Sequence, residues 1–139
     1  MQTFLEYYEQ KIQPQIAAID LFLKTEEPPY DSDAVAGLLG VPASEWKELM
    51  QQEKVVFLTK GVFFQLMQRG SSPLCGMFRR AVEWNLPEEY TPEMVSYIFG
   101  IELDAVRRAA SKLGQTVFLE QMLPQVFAEI SLAETQYPF

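Results

Sequence analysis

Few residues in this chain have types that could do chemistry, and most of those lack the partners they would need. Cys75 follows Ser71-Ser72-Pro73-Leu74, a spacing that sets a thiol near the start of a helix, where its pKa can be lowered. A nucleophilic thiol also needs a base, and the chain contains no histidine. The same absence removes an imidazole triad and a histidine-based metal site. Cys75 is spaced from Leu74 and Phe78 as a core residue would be, so a buried, inert thiol is the better expectation. The paired acids Glu26-Glu27 and Glu88-Glu89 lie beside prolines in connecting segments, where solvation rather than acid–base work is expected. No phosphate-cradling loop, dinucleotide glycine fingerprint, zinc spacing or calcium loop is present. The expectation is therefore a protein that is not an enzyme, with no catalytic residue, metal, cofactor or small-molecule ligand.

Binding chemistry is better represented. Arg107, Arg108 and Lys112 fall on one predicted helix, 102–113, and Lys47 falls on an earlier one. Cations so placed are what a phosphate backbone attracts, and all four are candidate nucleic-acid contacts. Against them stand Glu102 and Asp104 at the start of the same helix, and Asp104 and Arg108 are spaced to form an i,i+4 pair.

A second candidate surface comes from the charge distribution. The net charge is −8. Residues 1–53 carry ten acids and three bases, residues 54–82 five bases and no acid, and residues 83–139 nine acids and three bases. Lys60, Phe63, Phe64, Arg69, Arg79 and Arg80 combine aromatics with cations in that basic middle, the mixture that protein interfaces enrich. The competing expectation is that the rings are core and the cations pair with their acidic neighbours inside the fold.

The elements that position these residues follow from composition and period. With 139 residues, 48% of them hydrophobic and 13% aromatic, the chain can bury a substantial core. A single cysteine allows no intramolecular disulfide, and the opening Met-Gln-Thr-Phe-Leu-Glu carries neither a basic segment nor an apolar run, so a cytoplasmic protein with no membrane association is expected. Phe4, Tyr8, Ile12, Ile16, Ile19 and Leu23 lie on one face of a helix that Pro14 should kink or split near Gln13. Pro28-Pro29 marks the clearest linker.

Beyond it a pattern is written twice. Tyr30, Val35 and Gly40 recur as Tyr90, Val95 and Gly100, each sixty residues on, and each unit reads as a helix, a glycine turn and a second helix. Asp31 or Ser32 caps the first unit, with Pro42 or Ser44 opening its second helix; Thr91-Pro92-Glu93 opens the second unit. Residues 53–70 admit two readings: a hairpin at 55–64 around Lys60-Gly61, or a helix capped by Thr59 that carries Phe63, Leu66 and Met67. The helix is favoured because neither apolar run alternates. Ser72-Pro73 starts a further helix with Leu74, Met77, Phe78, Val82 and Trp84 inward, and Val117 to Ile130 echoes residues 56–70 with Pro124 interrupting. The tail from Thr135 is expected to be loose unless Tyr137 and Phe139 pin it.

Both units resemble the helix-turn-helix of DNA-binding regulators, through Val35, Ala36, Leu39, Gly40, Val41, Trp46 and Leu49 in the first and Val95, Ser96, Phe99, Gly100, Ile101, Val106 and Ala109 in the second. About twenty residues of each unit carry the likeness, which singles out no particular family. It implies that the helix 102–113 could read a major groove. The fold expected is all-α, seven or eight short helices in one compact domain with a shared core: a strut at 1–27, the first unit with covering helices at 28–86, and the second at 87–139. The function expected is that of a regulatory or adaptor protein whose partner is another protein or a second copy of itself, with DNA as the alternative.

Overall fold

The computed structural model describes residues 2–136, and the fold is all-α. Thr3 caps a single turn, α1 (Phe4–Tyr7), by accepting a hydrogen bond from the Glu6 amide. A π-helical turn, Tyr8–Ile12, follows and delivers the chain to α2 (Gln13–Thr25) with Pro14 in its first turn. The change from π to α falls at Gln13, and Pro14, which lacks an N–H, sits in the first turn of α2, where that is tolerated. The π turn also rotates the apolar stripe. Ile12 and Ile19 are buried, but Ile16 turns to solvent.

The remaining helices are α3 (Ser32–Leu39), α4 (Ala43–Gln52), α5 (Lys60–Met67), α6 (Pro73–Glu83), α7 (Pro92–Phe99), α8 (Leu103–Leu113) and α9 (Leu123–Ala128). Residues 53–70 form α5 rather than a hairpin, and Thr59 caps it by accepting from the Val62 amide at 3.3 Å. Pro42 sits one residue outside α4 and Ser44 lies within it, so neither caps by side chain. Pro124 occupies the first turn of α9 and starts that helix instead of interrupting it.

Two compact units emerge, residues 12–79 and a second made of the chain up to Lys11 with residues from Arg80 on. The expected strut at 1–27 is therefore divided, because Phe4 packs edge-on against Phe127 at 4.8 Å while α2 lies against α3. In the first unit Val35, Leu39, Trp46, Leu58, Phe63 and Leu66 are buried. In the second Val95, Val106, Phe118, Val126 and Ile130 are buried around a cluster in which Phe99 meets Phe127 at 5.0 Å.

The sixty-residue echo extends to backbone geometry. Gly40 and Gly100 close α3 and α7 in the left-handed region, at φ 71° and 68°, which a glycine adopts without a side-chain clash. One residue on, Val41 donates to the Ala36 carbonyl and Ile101 to the Ser96 carbonyl, both at 3.1 Å. Tyr30 donates to the Leu58 carbonyl at 2.9 Å, and Tyr90 pairs with Phe118 in a short antiparallel ladder of β1 (Glu89–Tyr90) and β2 (Phe118–Leu119). That ladder is the strand content no periodicity announced. After the last residues of α9, Thr135 bridges Ile101 and the Gln136 amide donates to the Gly100 carbonyl, so these two are tied down. Tyr137 and Phe139 lie outside the described residues.

Candidate functional site

Helix α8 buries Ala105, Val106, Ala109 and Ala110 and turns its cations outward. Each cation has a carboxylate on a different neighbouring element. Arg107 donates to Glu93 on α7 at 3.2 Å, Arg108 to Glu134 in the 3₁₀ turn Leu132–Glu134, and Lys112 to Glu129 just past α9 at 2.7 Å. Glu134 is doubly held, since it also accepts from the Ser131 amide at 3.0 Å. The Arg108 hydrogen bond, aided by that amide, draws the Glu134 carboxyl below its ordinary range, and the same bond raises the Arg108 guanidinium. The expected Asp104–Arg108 pair gives way to Glu134. Lys47, the fourth candidate nucleic-acid cation, pairs with Asp33 at 3.4 Å.

The residues of the basic middle have different settings. Phe63 is fully buried, with edge-on contacts to Tyr30 at 6.4 Å and Phe64 at 5.1 Å, so this ring is core and presents nothing to a partner. Phe64 is half-buried against Phe78. Arg69 pairs with Glu53 and reaches Gln52 at 2.8 Å; Arg79 donates to the Gln68 carbonyl and Arg80 to the Ile98 carbonyl, both at 3.0 Å. These three arginines stitch elements together within their own units. Lys60 stands apart, exposed at the start of α5 with no carboxylate partner among the described residues.

Cys75 is fully buried. Burial raises its thiol pKa, outweighing the hydrogen bonding with Ser72, whose hydroxyl also accepts from the Cys75 amide at 3.2 Å. Helix-start placement therefore does not yield a reactive thiolate here.

Sequence periodicity missed the exposed apolar residues. Trp84, expected inside α6, is about half exposed because the helix stops at Glu83 and the chain then passes through left-handed Asn85 and Leu86, at φ 59° and 50°. Leu86 and Tyr97 are exposed as well, and Tyr97 donates to the Glu83 carboxylate. Trp84 and Tyr97 line a shallow hollow of about 300 Å³, and Tyr97 also borders one of about 320 Å³ shared with Arg80, Ser96, Ile101 and Leu103. The Pro87 that ends the segment was the available signal: a helix stopping short of a proline leaves its last aromatic without a next turn to cover it. In the other unit Val56 and Phe57 are 94% and 60% exposed. No protein-family model, curated protein or solved structure matches the chain.

Proposed function

We propose that this is a non-enzymatic regulatory or adaptor protein that uses its two glycine-turned helix pairs as a scaffold for binding another protein. The observation that carries the reading is that Trp84 and Tyr97 lie open on one hollow, Tyr97 also bordering a second, with Leu86 exposed two residues beyond Trp84 in the chain. Aromatic residues flanked by polar groups such as Glu83 and Arg80 have the make-up of an interface anchor. A photo-crosslinking residue in place of Leu86 tests it in cells producing the protein. A discrete protein adduct that disappears when Tyr97→Glu is added is the expected result. Labelling no different from that at exposed Gln125 would defeat the reading.

The second reading is a DNA-binding regulator that inserts α8 into the major groove, and it rests on the exposure of Arg107, Arg108 and Lys112. Each would have to exchange a carboxylate for a phosphate, and Glu102 and Asp104 stand exposed at the entering end of the helix. Fluorescence anisotropy with mixed-sequence duplex DNA, titrated over a range of salt, separates the two readings. The protein-partner reading expects no binding even at low salt. Salt-dependent binding abolished by Arg107→Ala with Arg108→Ala would favour DNA.

A further inference from the structure

The loop between α4 and α5 has its repeat counterpart sixty residues on, and the two carry opposite charge. Lys54 ends α4 in the left-handed region, and the Val55 amide donates to the Met50 carbonyl at 2.8 Å. Gly114 ends α8 in the same way, and the Gln115 amide donates to the Ala110 carbonyl at 3.0 Å. Leu58 and Phe118 then plug their respective cores. Between those anchors the first loop lifts Val56 and Phe57 into solvent, flanked by the exposed Lys54 and Lys60. Neither lysine has a carboxylate partner among the described residues.

The second loop exposes Val117 and Leu119, each 41%, and places Glu120 where the first has Lys60. Leu119 pairs across the ladder with exposed Glu89, next to exposed Glu88. Among the described residues no base pairs with any of these three acids.

An apolar tip between unpaired cations is thus matched, on the same chain, by an apolar ribbon among unpaired anions. We propose that the Lys54–Lys60 loop of one molecule docks on the Val117–Glu120 ribbon, with Glu88 and Glu89, of a second copy. The complementary charges orient the contact and the apolar side chains hold it. Made both ways at once, the contact closes a two-fold pair; made one way, it leaves one patch free at each end and assembly continues into a ring or an open string. This contact uses none of Trp84, Leu86 and Tyr97, so either proposal can fail without the other.

Sedimentation velocity over a concentration series tests it. The wild type should associate into a dimer or larger species as concentration rises, and association should weaken as salt is added. Two variants with surface changes alone, Val56→Asp with Phe57→Asp and Leu119→Lys with Glu120→Lys, should each lower self-association on the order of tenfold or more. Circular dichroism should show both folded. Mixed one to one, they retain one complementary pair of patches between them and should form a dimer and nothing larger. A wild type that stays monomeric up to about 1 mM, a variant that associates as the wild type does, or a mixture that forms no dimer would each overturn the proposal. A Trp84→Ala variant should assemble normally.

Discussion

Lys47 and Arg107 stand sixty residues apart and grip the same place in their respective helix pairs: the second residue of the preceding helix, Asp33 in α3 and Glu93 in α7. Each cation lies on the second helix of its pair and reaches back across the glycine turn. Sequence spacing alone marks them as candidate phosphate ligands, but in the fold each spans the glycine turn to a carboxylate of the preceding helix. The charge type is kept at both ends while Asp becomes Glu and Lys becomes Arg, which is the pattern expected when a strut matters more than the identity of its atoms.

These struts should be weak individually and salt-sensitive. A double-mutant cycle on Arg107→Ala and Glu93→Ala, read by urea denaturation, should give a small favourable coupling at low salt, and the Lys47–Asp33 cycle a similar or smaller one, because all four side chains are exposed. Raising the salt to about 1 M should shrink both. A coupling of zero at low salt would show that the pairs do not brace the helices.

Close packing makes a sharper demand at Gly70. A methyl group built there would lie 2.5 Å from the Cys75 sulfur and 3.3 Å from Val41, both of them buried. Gly70→Ala should therefore destabilise the protein by about 1–3 kcal/mol, the usual penalty for overpacking. Adding Cys75→Ala removes the closest atom and should return part of that loss. If the double variant is no more stable than Gly70→Ala alone, the sulfur is not the obstacle.

The features legible in the sequence were those with local causes. Thr59, Thr91 and Asp31 cap helices because each sits one residue before an apolar period begins, and each accepts the expected amide. Gly40, Gly100 and Gly114 end helices for an equally local reason. What could not be read depends on residues far away in the chain. The partner of Arg108 is Glu134, twenty-six residues on, whereas spacing offered only Asp104. The ladder joining Tyr90 to Phe118 is two residues long and has no period to detect. The exposure of Trp84 depends on where α6 stops, and Ile16 was misplaced by one π turn that shifts the stripe without changing its composition.

Burial and a raised thiol pKa together predict an unreactive Cys75. Its native-state reaction with an aromatic disulfide reagent at pH 8 should be on the order of a hundredfold or more slower than that of a free thiol, and should recover in denaturant. A native rate equal to that of free cysteine would mean that the thiol is open to solvent and would revive the case for a nucleophile.

The Arg108–Glu134 pair ties stability to acid pH with a definite sign. The folded-state pKa of Glu134 lies below its ordinary value of 4.5, because the Arg108 side chain and the Ser131 amide both hydrogen-bond the charged carboxylate. The unfolded chain therefore binds the proton more readily than the folded one does. The resulting stabilisation is complete above the ordinary value and is lost as the pH falls through the lower folded one. Glu134→Gln removes the titration. Its melting temperature should lie below that of the wild type at pH 7, and the gap should narrow steadily below pH 4.5 and close in strong acid. Exposure of Arg108 keeps the neutral-pH gap small, a few degrees or less. A gap that stayed constant from pH 7 to strong acid would show that Glu134 acts through packing and backbone capping alone, with no charge on the arginine engaged.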